Sequence, residues 1–175
     1  MKLRDALLEP DARFTNMVGG IDMTGAVRFM TIADLYSLVE PLGLGPSVPR
    51  DIVEQFDKAR HAFIYSWFAY DLVSLSEQQG YQTLELALRE KLPPDERKKA
   101  DDKRWTLDTL IKRALAHHWL VRSDFYDPDT KICMLDIIPK FRNELAHGSK
   151  NLFPAGSHVL LKLSAEIINK LFRDI

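Results

Sequence analysis

The chain has 175 residues, of which 46% are hydrophobic and 28% are charged, and its formal net charge is −1. This length is typical of one domain, and the near-neutral charge excludes a general nucleic-acid coat while leaving room for a local basic cleft. Cys133 is the only cysteine, so neither an internal disulfide nor a multi-cysteine metal site is expected. The low cysteine content leads us to expect a cytoplasmic location. The sequence shows no apolar signal region and no bilayer-spanning run, so no membrane partner is expected.

Residues 1–47 are expected to form an N-terminal extension packed on the main domain, because so short a segment rarely builds a core alone. Within it, residues 4–9 predict a short helix stopped by Pro10. Residues 31–39 predict a first well-defined helix with one apolar side. The proline- and glycine-rich stretch 41–49 then predicts a connecting loop.

The longest predicted helix runs from residue 51 to residue 79. Its first half has one apolar stripe, and residues 62–75 are apolar almost all round, which is typical of a central helix covered on several sides. Gly80 is expected to kink or end it, and a helical pattern continues to the proline pair at 93–94. Four side chains of this segment are interpreted as core or dimer packing rather than a site: Tyr65, Trp67, Tyr70 and Asp71.

Residues 91–122 carry nine basic and five acidic side chains in a chain that is net acidic. A solvated face is the default interpretation of such a run, and a rim that attracts phosphate is the functional alternative. The apolar residues in its second half recur at helical spacing, and His118 is expected to extend their stripe and to be partly buried. His117, His118 and Cys133 lack the paired ligand spacing of a zinc site, so no metal is expected.

Two further helices are predicted in the last third of the chain. The first covers roughly residues 131–147, and Pro139 is expected to begin a new helix there rather than kink an existing one. The second follows Gly156, with Ser157 as its N-cap. No strand alternation longer than a few residues occurs, so the predicted fold class is all-α.

The residues with the clearest chemical potential begin at Arg142. Asn143 follows it directly and His147 comes five residues later, near the predicted end of a helix. Phe141 and Leu145 share one face and are expected to anchor this helix to a core. Asn143 and His147 share another face, where the amide could fix the tautomer of the imidazole. On a straight helix Arg142 and His147 lie about 140° apart, so they converge only if the last turn unwinds or a second copy faces the first.

The Arg-x4-His spacing alone is weak evidence for a site. The chain contains it twice, and the second pair, Arg113 and His118, has no polar residue after the arginine and is interpreted as a coincidence. For Arg142 and His147, composition alone favours a surface ion pair and a histidine stabilised by the negative end of a helix.

A resemblance to a known family favours a functional site at Arg142 and His147 over a surface ion pair. Residues 142–148, placed before a final amphipathic helix, resemble the Arg-polar-x3-His motif of the HEPN superfamily. The aromatic segment 59–70 and the segment 86–92 are similar to those of a group of bacterial HEPN proteins. The resemblance covers about residues 48–175 and implies a HEPN-like helical bundle there. It also implies a homodimer in which the two motifs face each other.

The resemblance further implies a metal-independent endoribonuclease, with Arg142 and His147 as catalytic residues and Asn143 in support. The histidine would move a proton of the reacting ribose or leaving group, and the arginine would bind the phosphate. We expect RNA rather than DNA as substrate, ends with a 2′,3′-cyclic phosphate, and no cofactor. A toxin or phage-defence role and a nucleotidyltransferase-like antitoxin are associated expectations. The alternative is a non-catalytic dimeric module that binds nucleotide or RNA, or a regulatory scaffold.

Overall fold

The computed structural model describes residues 2–146 and 154–173. The described chain is mainly helical, as the sequence predicts, and contains two short antiparallel hairpins, which it does not predict. The helices are α1 (Ala12–Thr15), α2 (Ile32–Val39), α3 (Arg50–Tyr65), α4 (Leu72–Lys91), α5 (Pro94–Asp102), α6 (Leu107–Ala116), α7 (Met134–Ala146) and α8 (Pro154–Leu171). The strands are β1 (Val18–Ile21), β2 (Val27–Phe29), β3 (Tyr126–Asp127) and β4 (Ile132–Cys133). None of the described helices combines the length and the apolar content that a bilayer crossing requires.

Helix α4 is the centre of the bundle, because it packs against α3 and α8 along its length and also contacts α6 and α7. Its buried side includes Leu84 and Leu88, and facing residues such as Phe56 of α3 are also fully buried. Gly80 lies in the middle of α4, which runs through it without ending. A Cβ atom there would come within 2.9 Å of Leu161 Cδ2, so glycine allows α8 to approach α4 closely.

The single helix predicted over residues 51–79 is wrong. The chain instead forms α3 and α4, an antiparallel pair joined by a turn at residues 66–71. At this corner the Ser66 hydroxyl donates to the Phe63 carbonyl at 2.6 Å, and the Ser76 hydroxyl donates to the Ala59 carbonyl at 2.8 Å. Serine side chains compete in this way for backbone groups and favour turns. The stretch has no single polar stripe because it spans a turn between two helices, so its buried residues do not fall on one helical face, and Tyr65 and Leu75 are exposed.

The N-terminal segment covers this corner. Phe14 is fully buried, and its ring centroid lies 5.8 Å from that of Trp67 and 5.0 Å from that of Tyr70. The backbone amide of Asp11 donates to the Trp67 carbonyl at 2.7 Å. Helix α2 then packs against α3 and α8, where it buries Leu35 and other apolar side chains. The packing of Trp67 and Tyr70 confirms their interpretation as core residues, whereas Tyr65 and Asp71 are exposed, so that interpretation is wrong for these two as core residues.

The β1–β2 hairpin is docked on α2 through one side chain. Arg28 donates two hydrogen bonds to the Asp34 carboxylate, at 2.7 and 2.5 Å. Its guanidinium lies against Gly19, where a Cβ atom would come within 2.9 Å of Nη1, and passes Gly20 at ordinary contact distance. A Cβ atom on Gly19 would also come within 2.7 Å of Met30 Cα, so this hairpin requires glycine at that close approach.

Two expectations about the last helices are wrong. Pro139 does not begin a new helix, because it lies inside the continuous helix α7 and is buried there. It costs α7 the one backbone hydrogen bond that a residue with an amide would donate to Leu135. Ser157 is not an N-cap, because α8 already begins at Pro154. Ser157 is buried inside the first turn of α8, where its hydroxyl binds the Glu77 carboxylate of α4.

Candidate functional site

The structure places Arg142 and Asn143 near the end of α7, on the wall of one cleft. His147 and Gly148 follow α7 and lie outside the described residues. The expected convergence of Arg142 and His147 therefore stays a prediction. The cleft has a volume of about 530 Å³ and lies between α4, the start of α6 and α7.

Arg142 is oriented by a carboxylate from the central helix. Its Nε donates to Glu85 Oε1 of α4 at 3.0 Å, and no other described residue accepts a hydrogen bond from its guanidinium. The side chain of Arg142 is 40% exposed and that of Glu85 is 19% exposed. An ion pair this accessible contributes little stability, so its main effect is to direct the guanidinium. Among the described residues the two Nη groups have no acceptor, and a guanidinium fork of this kind binds a phosphate well.

The cleft contains more unpaired positive than negative charge. Each of its three carboxylates is in an ion pair: Glu85 with Arg142, Asp108 with Lys112 at 2.6 Å, and Asp136 with Arg122. Its four cations are Arg89, Arg104, Lys140 and Arg142. Arg89 binds Asp101 and the Trp105 carbonyl. Arg104 and Lys140 have no ion-pair partner within the described ranges, so they supply the surplus positive charge.

Arg104 and Trp105 come from the turn that follows α5. Arg104 has φ of 48°, a left-handed conformation that is uncommon for residues other than glycine and that occurs often at functional sites. Trp105 is half-buried on the cleft wall, and the guanidinium of Arg113 lies 5.2 Å from its ring centroid. Part of the basic run 91–122 therefore does border the cleft that contains Arg142.

A second set of polar side chains, outside the lining of the cleft, consists of Glu77 and Tyr81 of α4 and Ser157 of α8. Burial raises the pKa of Glu77, and the hydrogen bond from Ser157 opposes that rise. Burial, together with the negative charges of Glu77 and Glu144, raises the pKa of Tyr81 far above its ordinary value. The Tyr81 hydroxyl is buried and has no hydrogen-bond partner among the described residues. The Tyr81 hydroxyl therefore stays protonated at neutral pH, in which form it can both donate and accept a hydrogen bond.

The sequence does not indicate most residues of the cleft. It also predicts the wrong environment for two other residues, Phe141 and His118. Glu85 lies 57 residues before Arg142, and no spacing rule connects them. Phe141 is 42% exposed, so it does not anchor α7 to the core, although Leu145 does pack there. His118 follows the end of α6 with φ of 58° and is exposed, so the prediction that it extends a buried stripe is also wrong.

His117, which precedes His118, has a local structural role. His117 stacks on Trp119 with ring centroids 4.3 Å apart, and its Nε2 lies 3.1 Å from Glu96 Oε2. Within residues 2–146 and 154–173, no three histidine, cysteine or acidic side chains are grouped so that they could hold a metal ion.

Comparisons of the chain with protein-family models, with curated proteins and with solved structures find no match. Its function must therefore be argued from the cleft and from the motif that borders it.

Proposed function

We propose that this chain is a metal-independent endoribonuclease of the HEPN type, acting on a phosphodiester bound in the cleft between α4, α6 and α7. The observation that supports this most is the position of Arg142. Its guanidinium lies on the cleft wall and is held at Nε by Glu85, and within residues 2–146 and 154–173 nothing accepts from its Nη groups. His147 follows it by five residues in the chain.

The chemistry uses a nucleophile that RNA itself carries. One imidazole of His147 removes the proton of the ribose 2′-hydroxyl, and the 2′-oxygen attacks the adjacent phosphorus. The bond from phosphorus to the 5′-oxygen breaks, and that oxygen takes a proton. The products are a 2′,3′-cyclic phosphate and a 5′-hydroxyl. Arg142 binds the non-bridging oxygens and the charge that develops on them, and Asn143 contacts either the phosphate or the imidazole.

Two side chains support substrate binding near Arg142. Arg104 and Lys140 line the same cleft without ion-pair partners in the described part of the chain. Because affinity for nucleic acid comes largely from phosphate contacts, a few local cations are sufficient for binding in a chain with net charge −1. DNA is not cleaved because it lacks the 2′-hydroxyl.

A second copy of the chain completes this site in our proposal. Phe141 lies next to Arg142 on α7 and is 42% exposed, so it is accessible to a second copy that meets the protein along this helix. Two copies that meet along α7 would bring two motifs together, so one His147 could take a proton while the other supplies one. A cytoplasmic toxin or phage-defence RNase, controlled by an antitoxin similar to a nucleotidyltransferase, is the biological role that fits this activity.

The test is cleavage of mixed RNA in the presence of EDTA by the wild type and by Arg142→Ala and His147→Ala. We expect chelator-resistant cleavage that falls by about 100-fold or more in both variants. Arg50→Ala is the matched control, because Arg50 is a highly exposed arginine of α3 that pairs with Glu54 and does not line the cleft. Faint, equal cleavage by all four proteins would contradict the proposal and indicate contamination.

The second candidate is a non-catalytic module that binds RNA or nucleotide. The observation that favours it is that Arg142 is already paired with Glu85, in a cleft that also contains two other carboxylates. Under this alternative, the wild type binds RNA and leaves it intact. Binding and cleavage measured on the same labelled RNA separate the two candidates.

A further inference from the structure

The β1–β2 hairpin has one face that is entirely apolar, and a β-bulge creates it. Val18 pairs with Phe29 and Ile21 pairs with Val27, with an irregularity in register between Val18 and Gly20. Directly opposed residues point to the same side of a sheet, as do residues two apart on one strand. Val18 and Ile21 are three apart and would normally point to opposite sides. The bulge adds one residue and thereby puts all four side chains on one face.

This apolar face is open to solvent. Its four side chains, Val18, Ile21, Val27 and Phe29, are between 59% and 71% exposed. Met23, in the turn that joins the two strands, is fully exposed. The opposite face is occupied, because Arg28 crosses Gly19 and Gly20 there and binds Asp34. The hairpin is thus fixed to the protein on one side and uncovered on the other.

The five side chains expose on the order of 600 Å², which is at the upper limit for the largest apolar patch of a typical monomer. If contact between two copies covered both faces and both Met23 side chains completely, it would remove roughly 1,200 Å² from water, the lower end of the range for stable interfaces. The four side chains of the face carry no charge or hydrogen-bonding group, so a nucleic acid or a charged peptide would find no partner there. A twofold axis pairs a patch with itself, and an uncharged apolar patch is its own complement.

We infer that this hairpin face is a self-association surface, which packs against the same face of a second copy. The two hairpins stack as two small sheets about 10 Å apart. Contact with the second copy also gives the hairpin the second layer that an isolated two-stranded sheet lacks. The inference does not depend on ribonuclease activity, and its surface is separate from the α7 surface around Phe141.

Sedimentation of the full chain over a range of concentrations tests this surface. The test variant is Ile21→Thr combined with Phe29→Thr, because threonine retains strand preference and removes apolar contact. We expect the wild type to associate and the dissociation constant of the variant to rise by at least about tenfold. Val121→Thr is the matched control, since Val121 is a half-exposed apolar residue outside the hairpin; it should leave association unchanged.

A second measurement uses only the wild type and covers the case in which the variant fails to fold. Amide hydrogen exchange of residues 18–29 should slow as protein concentration rises. A wild type that stays monomeric at about 100 μM overturns the inference. So does a double variant that associates as the wild type does while Phe141→Thr dissociates, a result that would leave the α7 dimer of the proposed function intact.

Discussion

At the scale of single residues, Asp11 links the N-terminal segment to the corner between α3 and α4. Its carboxylate accepts hydrogen bonds from Arg13 Nε and Nη2, both at 2.9 Å, and from the Tyr70 amide at 3.1 Å. Arg13 Nη1 binds Asp71 at 2.9 Å, so the network spans both segments. The side-chain hydrogen bond from Arg13 contributes most to holding the pKa of Asp11 far below its ordinary value.

Asp11→Ala should lower the free energy of unfolding by about 1–3 kcal/mol at pH 7, because it removes a charged acceptor of the buried Tyr70 amide and the ion pair with Arg13. The pKa of Asp11 is lower in the folded than in the unfolded state. Its contribution is therefore fully present above about pH 4 and is lost as the pH falls towards the folded value. Urea unfolding of wild type and variant at pH 7 and at pH 2.5 measures this change.

The control for Asp11 is Glu54→Ala, which breaks an exposed ion pair with Arg50 on α3. That variant should lose little stability at either pH. A stability difference between wild type and Asp11→Ala that is the same at both pH values would contradict the role of the ionised carboxylate.

The sequence singles out Arg142 and Asn143 through the resemblance of residues 142–148 to a known motif, and the structure places both beside a cleft. It cannot indicate Glu85, because the contact depends on how α4 and α7 pack. The sequence does not indicate Arg104 either. Its left-handed conformation is set by the turn after α5, and arginine is not a residue type that predicts such a turn.

At the scale of elements, the closeness of α4 and α8 depends on Gly80. Replacement by alanine favours the helix by about 1 kcal/mol, but its Cβ atom displaces the buried end of the Leu161 side chain. The free energy of unfolding should therefore change by no more than about 1 kcal/mol. Gly80→Leu overfills the contact and should destabilise by about 1–3 kcal/mol. Denaturant unfolding of both variants measures these values. Gln78→Leu, at an exposed position of the same helix, is the control, and a loss equal to that of Gly80→Leu would contradict the packing explanation.

Helix positions follow from periodicity where one face is apolar. The helix predicted over residues 31–39 corresponds to α2, which the structure bounds at Ile32–Val39. Periodicity does not give the correct helix boundaries over residues 62–75. A run without a polar side can belong either to a buried helix or to a turn between two packed helices. Periodicity also fails for the β1–β2 hairpin, whose bulge disrupts the simple alternation of apolar and polar residues that identifies a strand.

At the scale of the whole molecule, the net charge of −1 conceals an uneven distribution. The sequence identifies the basic run 91–122 but cannot decide between a solvated face and a phosphate-binding rim. The outcome is mixed, because Arg104 lines the cleft whereas most of α5 is solvated and forms ion pairs such as Arg89 with Asp101. Only the fold decides which charges lie near Arg142.

Binding of single-stranded RNA by the His147→Ala variant should depend on salt through three cleft cations, namely Arg104, Lys140 and Arg142. Each phosphate neutralised on a single strand contributes about −0.7 to the slope of log K against log salt concentration. Three contacts give a slope of about −2, and hence roughly a 20-fold loss of affinity between 50 and 200 mM salt. Fluorescence anisotropy with a labelled RNA measures this slope.

Removing both Arg104 and Lys140 by substitution to alanine should reduce that slope to less than half its value. Lys98→Ala, which removes an exposed lysine of α5 outside the cleft lining, should leave it unchanged. If Lys98→Ala reduces the slope as much as the double variant, binding is spread over the surface rather than located in the cleft.

The docking of Asp11 and Phe14 on the corner after α3 has a consequence for synthesis on the ribosome. Translation adds residues in order, so this segment emerges more than fifty residues before Trp67 and Tyr70. At ~5–20 residues per second it remains without its dock for several seconds. The N-terminal segment is therefore synthesised early but can pack only late. Until Trp67 and Tyr70 have been synthesised, Phe14 is accessible to chaperones at the ribosomal exit tunnel.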